Sequence, residues 1–326
     1  MIIIIIILFS FSRFINCNSV KKNLIIGVIK GYKWEKIKTF FISLYRLNLK
    51  DFDCVMFISN VNDDIVNKLK SMGIIIIKIP YKYRKIIINN IRYKLYEEYL
   101  RKKLDLYNMV IHIDIRDTFF QNDIFKLYEN KGPFIGLSLE MGKLSEKINS
   151  NWIKIQYGEK IYEELKDKQI ICSGVIWGTV DKFYELAKNI WEQIEKSHHK
   201  FLILDQSSTN YLIYHKKLFK DCSVMSDNYN GFVMTVGLAR YKLFSFDIKN
   251  NMLNIHNKKK AAIIHQYDRI PKLVKIVEKK FKNFQSDDNV LDEKNKYIFF
   301  LLKLSFFIIL KLKRKSQPGK PTKSFK

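Results

Sequence analysis

Proline and glycine are scarce, at 5 and 12 residues in 326. No stretch rich in proline, glycine and serine divides the middle of the chain, so the sequence offers no linker between two domains there. Cysteine is also rare. Cys17, Cys54, Cys172 and Cys222 lie far apart, with no C-x-x-C pair; this excludes a zinc-ribbon spacing and leaves buried free thiols. No N-x-S/T acceptor occurs, so glycosylation gives no pointer to a secretory lumen. No internal repeat is visible. Acidic residues are outnumbered, 32 Asp and Glu against 58 Lys and Arg, and the resulting net charge is +26.

What is present is apolar. A hydrophobic content of 47% suits a globular chain and excludes a disordered one, and 326 residues can bury a substantial core. Lysine, isoleucine and asparagine are abundant throughout, as an AT-rich codon set produces. The functional reading of the charge is attraction to anions: sugar nucleotides, anionic lipid or nucleic acid. Aromatic residues sit within apolar runs rather than interleaved with basic ones, so a nucleic-acid platform is set aside.

The ends differ from the middle. Residues 1–22 open with "MIIIIIILFSFSRFI", an apolar run without a basic leader, and read as a signal or anchor segment. Residues 286–326 contain "YIFFLLKLSFFIILKLKRK" and then a polar tail. That pattern fits an interfacial helix with snorkelling lysines, or a terminal helix packed on the domain. Membrane association through the termini follows: Golgi or ER type II in a eukaryote, the cytoplasmic membrane face otherwise.

Between them, residues 23–285 alternate short apolar runs with amphipathic stretches. "NLIIGVIKGY", "DCVMFIS", "IIIIKIP" and "NMVIHIDI" read as strands. Helices follow through "WEKIKTFFISLYRLN", with Ile37, Phe40, Phe41, Leu44 and Leu47 on one face, and through "NDDIVNKLKSMG", closed by Gly73. A longer one runs through "IINNIRYKLYEEYLRKKLDLY". The second half predicts strands at "PFIGLSLE", "IICSGVIWGT", "GFVMTVG", "KLFSFD" and "AAIIHQYD". It predicts helices from about Val180 to Glu195, around "DQSSTNYLIYH", and in "RIPKLVKIVEKKF". The expectation is one α/β domain with a mixed, mostly parallel sheet flanked by helices, Rossmann-like in plan.

In such a sheet, ligands bind beyond the carboxyl ends of the strands. "IDIRD" stands at one of these ends. Side-chain alternation puts Asp114 and Arg116 on one face and Asp117 on the other, unless the strand bends there. With a bend, both carboxylates can meet one Mn²⁺ or Mg²⁺, while Arg116 neutralises a phosphate. The plain alternative is a strand cap with a surface salt bridge. Other pieces accompany it: Ser173 and Gly174 before an apolar strand, Asp205 (also a good N-cap), Gln206 and Asn210 opening a helix, and His265, Asp268 and Arg269 after a strand.

Taken in order, these pieces resemble the nucleotide-diphospho-sugar transferases of the GT-A glycosyltransferase fold, in a branch with a D-V-R-D-x-x-F-Q element. "DIRDTFFQ" matches that element. W-x-x-I-x-x-F is matched by "WEKIKTF", S-G-x-x-x-G-T by "SGVIWGT", and D-Q-x-x-x-N by "DQSSTN". T-V-G is matched by "TVG" and H-Q-Y-D-R by "HQYDR". The likeness spans about residues 24 to 275.

The resemblance implies a metal-assisted glycosyltransferase. It would move a sugar from a nucleotide-sugar donor to a hydroxyl on a glycan, glycolipid or protein. It places Asp114 at the start of a D-x-D motif, Asp117 as its second acid and His265 as the late histidine that completes a metal or diphosphate site. Arg92 and Tyr93 would face the donor nucleotide, Ser173 and Gly174 the donor sugar, and Asp205 and Gln206 the reaction centre. The sequence departs from the pattern at Arg116, where most metal-dependent relatives carry an acid. Two alternatives follow: a metal-independent enzyme in which Arg116 offsets the diphosphate, and an inactive sugar-nucleotide-binding or scaffold protein.

Overall fold

The computed structural model describes residues 21–199, 201–238, 244–247, 252–255 and 261–281. The expectations for residues 1–20 and 282–326, including both apolar terminal segments, lie outside the described residues.

The first half alternates as its periodicity predicts. Strand β1 (Lys22–Lys30) leads to helix α1 (Trp34–Arg46), β2 (Phe52–Ser59), α2 (Asp63–Ser71) and β3 (Ile75–Lys78). Asn62 caps α2 by accepting from the Asp64 amide, and Gly73 turns the chain out of it at φ 80°. Helix α3 (Ile88–Leu100) then feeds β4 (Tyr107–Ile113). After short β5 (Thr118–Phe120) and α4 (Ile124–Tyr128) come β6 (Ile135–Lys143), α5 (Lys147–Leu165), β7 (Gln169–Thr179) and α6 (Val180–Lys196). Helix α7 (Asp205–Asn210), β8 (Ser223–Ser226), β9 (Val233–Thr235), β10 (Phe244–Asp247), β11 (Met252–Ile255), β12 (Ile263–His265) and α8 (Pro271–Phe281) complete the order.

Seven strands form the main sheet in the order β3-β2-β1-β4-β7-β6-β8. The β1–β2, β2–β3, β1–β4 and β6–β8 pairs are parallel; β7 runs antiparallel to both β4 and β6. Parallel strands covered on both faces read as unbroken apolar runs, and "LII" of β1 is fully buried for that reason. Leu24, Ile26, Val55 and Val110 pack with Tyr93, Tyr96, Phe183 and Ile190 on one face. Ile25, Cys54, Met56 and Ile111 pack with Ile37, Phe40, Phe41 and Leu69 on the other. The architecture is thus α/β, with a mixed and mostly parallel sheet between helices.

Two smaller sheets accompany it. β10 and β11 pair with each other, and β5, β12 and β9 form a three-stranded sheet in that order. The latter determines the site, because its register sets His265 opposite Thr118, one residue after Asp117.

Helix α5 was not visible in the sequence. Its nineteen residues bury few side chains, Asn149, Ser150, Ile153 and Leu165, so no apolar stripe marks it, and Gly158 at φ 83° breaks its axis. Among the described residues no helix is long and apolar enough to cross a membrane.

Candidate active site at the carboxyl edge of the sheet

β1 turns off to β2 and β3 on one side and pairs with β4 on the other, so strand order reverses between β1 and β4. A crevice at the carboxyl ends of two such strands is where α/β sheets take ligands. Here it is a cavity of about 450 Å³, lined by Val28 and Lys30 of β1, Ile113 of β4 and the turn residues Asp114–Asp117.

The chain does bend after Ile113. Strand β4 ends there and residues 114–117 form a turn, so the strict alternation that would separate Asp114 from Asp117 does not apply. Both carboxylates converge on His265, whose Nε2 lies 3.7 Å from Asp114 Oδ2 and 3.5 Å from Asp117 Oδ1. One ligand atom from each of the three residues falls within 4.8 Å of the others, close enough to share an ion. The set fits a divalent cation on two further observations. His265 Nε2 is buried with no hydrogen-bond partner among the described residues, as an open ligand position requires. Gly174 leaves the room: a β-carbon there would stand 2.7 Å from His265 Nε2 and 2.8 Å from Asp114 Oδ2.

Arg92 holds the other side of Asp114. Nη1 donates to Asp114 Oδ1 at 2.6 Å, while Nη2 donates to the Ser173 carbonyl at 3.0 Å and pairs with Asp205 Oδ2. Asp205 Oδ2 also accepts from Ser173 Oγ at 2.9 Å. The guanidinium is only 5% exposed, so it is spent on organising the two carboxylates from beneath the cavity. Burial works against charge at Asp114, but the Arg92 guanidinium and His265 hold its carboxyl below the ordinary range. Burial raises Asp205, with Arg92 opposing it. His265 goes the other way: burial opposes its charge, yet Cys172, Asp117 and Asp114 push it well above the usual histidine value.

Strand β7 delivers Ser173 and Gly174 through an irregularity. Leu137 of β6 pairs with Ile176 and the next residue, Ser138, with Cys172, so residues 173–175 bulge out of that ladder. The freed Ser173 carbonyl accepts from Arg92 and from the Tyr93 hydroxyl at 3.3 Å. Gln206 docks alongside, its Oε1 accepting from the Ser173 amide at 3.3 Å and its Nε2 donating to Asn149 at 2.8 Å.

Of the expected site residues, Arg92, Asp114, Arg116, Asp117, Ser173, Gly174, Asp205, Gln206 and His265 all line this one cavity. Two expectations need correction in detail. Tyr93 does not face the cavity; it is fully buried under it. Asp205 does not cap its helix, because Leu204 holds the N-cap position and the Asp205 carboxylate turns to Arg92 and Ser173. Arg116 forms the salt bridge that the plain alternative expected, its Nη2 pairing with Asp117 at 3.1 Å and Asp268 at 3.3 Å. The sequence reading missed Tyr32, Trp152, Ile203 and Gln266, which also line the cavity. It missed as well the buried Glu140, 3.4 Å from Gln206. Of these only Gln266 stands in a motif, the H-Q-Y-D-R element.

No protein-family model matches the chain, and no curated protein matches it.

Proposed function

We propose that this protein is a glycosyltransferase of GT-A type, moving a sugar from a nucleotide-diphosphate donor to a hydroxyl acceptor with the help of Mn²⁺ or Mg²⁺. The observation that carries this reading is the convergence of Asp114, Asp117 and His265 at the switch point of the sheet, beside a buried Arg92. Breaking a sugar–phosphate bond gathers negative charge on the leaving diphosphate. A bound divalent ion would neutralise that charge. Asp114, Asp117 and His265 would hold the ion, and Arg92 would keep Asp114 ionised and aimed. Ser173 and Gly174 would sit against the donor, and Asp205 and Gln206 at the reacting end. An acceptor glycan, glycolipid or protein would enter from the open side, and the membrane placement read from the termini belongs to the same proposal.

The test is calorimetric titration of the full chain with UDP and GDP, with Mn²⁺ and then with chelator. Metal-dependent binding that disappears in Asp117→Ala supports the reading. Metal-independent binding lost in Arg116→Ala would assign the diphosphate to that arginine and remove the metal from the mechanism.

A second reading, an inactive sugar-nucleotide binder, is favoured by Asp205. Its Oδ2 is engaged by Arg92 and Ser173, and its Oδ1 is buried without a hydrogen-bond partner among the described residues. Asp205→Asn separates the two. Loss of transfer or donor hydrolysis with nucleotide binding retained indicates an enzyme, and no turnover by the natural chain indicates the binder.

A further inference from the structure

Cys172 has no part in the donor chemistry just described, yet it is buried against the metal triad. Its Sγ lies 3.6 Å from Nδ1 of His265, the ring nitrogen opposite the one that faces Asp114 and Asp117. We propose that Cys172 is a positioning residue of the metal site, its sulfur accepting the Nδ1 proton of His265 and so aiming the Nε2 lone pair at the two carboxylates. The proposal rests on the metal-assisted reading of the site.

The surroundings of the sulfur decide which way the proton lies. Sγ faces two other N–H donors, the Gly174 amide at 3.5 Å and the Gln266 side-chain amide at 3.9 Å. Both present a hydrogen to the sulfur, which is an acceptor toward each of them. A metal at Nε2 needs the lone pair of that nitrogen, so the neutral ring keeps its hydrogen on Nδ1 and donates it to the sulfur 3.6 Å away. In the neutral ring that leaves Nε2 as the nitrogen with the lone pair, the form a metal takes. Ligating histidines commonly give their second N–H to a carboxylate or a carbonyl. Here sulfur takes that place. Gly174 closes the arrangement sterically, since a β-carbon there would collide with the imidazole.

The experiment uses the full chain and Mn²⁺ alone, with free Mn²⁺ followed by electron paramagnetic resonance. Cys172→Ala is expected to weaken Mn²⁺ binding by roughly ten-fold or more. Cys172→Ser is expected to recover most of the loss, because a hydroxyl accepts the same proton. In a His265→Ala background Cys172→Ala is expected to change nothing further, which a general packing defect would not reproduce. Wild-type affinity in Cys172→Ala, a serine variant as weak as alanine, or an equal loss in the His265→Ala background would each overturn the proposal. It would then fail alone, the metal reading standing on wild-type binding. If the natural chain takes up no Mn²⁺, both fall together. If it binds Mn²⁺ but transfers no sugar, Cys172 keeps its role and the transferase reading fails.

Discussion

Gly174 lies against the imidazole of His265 with no space for a side chain between them. A β-carbon at residue 174 would stand 2.7 Å from His265 Nε2 and 2.8 Å from Asp114 Oδ2. Neither neighbour can retreat far: His265 is 1% exposed and clamped in the three-stranded sheet, and Asp114 is tied to Arg92. Gly174→Ala is therefore expected to lower Mn²⁺ affinity by at least roughly ten-fold. Overpacking should destabilise the fold by about 1–3 kcal/mol. Mn²⁺ titration and urea unfolding measure the two effects separately. Unchanged Mn²⁺ affinity would remove His265 from the ligand set.

Arg92 answers two buried carboxylates with one guanidinium. Removing it strands both, and breaking a buried pair by taking one partner costs about 3–5 kcal/mol. Arg92→Met is expected to lose about that much in urea unfolding. Arg92→Lys should recover only part of it, because an ammonium lacks the planar fork that reaches Asp114, Asp205 and the Ser173 carbonyl together. A loss below about 1 kcal/mol, the range of exposed pairs, would show that the two acids do not depend on the arginine.

The sequence conveyed the layered part of the fold because its strands are buried on both faces and its outer helices carry one-sided stripes; α1 and α6 are legible for that reason. It did not reveal α5, which packs few apolar groups, nor β5, three residues long. The site was legible where chemistry clusters in the chain, as in "IDIRD" and "HQYDR". It was illegible where tertiary structure makes the cluster. Nothing local places Cys172 behind His265 or Glu140 beside Gln206, and alternation along β4 left the face of Asp117 to hang on a bend, which only the turn at 114 supplies. Tyr93, beside Arg92 in a helix, follows the core rather than the cavity because consecutive helical residues face different ways.

Proton and metal compete for His265. The metal-free fold raises His265 well above its usual value: burial opposes the charge, but Cys172, Asp117 and Asp114 outweigh it. Asp114 is held low and stays ionised, so it does not compete. A metal at Nε2 must displace the histidine proton, and Mn²⁺ affinity should therefore rise with pH up to the elevated histidine value and then level off. Titrations from pH 6 upward check this, and in His265→Ala the slope should vanish. A flat profile in the natural chain would place the metal on oxygen ligands alone.

Glu140, like Asp205, is a buried acid that the fold holds against its charge. Burial raises its carboxyl from the ordinary 4.5, with His265 the largest opposing influence. For a carboxylate with a raised folded value, the native state binds more protons than the unfolded chain. Stability is then whole below the ordinary value and falls as pH rises through the folded one. Glu140→Gln removes the charge while keeping an acceptor for Gln206 Nε2, 3.4 Å away. The variant is expected to match the natural chain in melting temperature well below pH 4.5 and to exceed it at pH 7, in chelator-treated protein. Mn²⁺ affinity should change little, since the sulfur still receives the His265 proton. If Glu140→Gln instead melts lower at pH 7, the ionised Glu140 is a net stabilising partner of His265 and Arg269, and the burial penalty is not the dominant effect at this position.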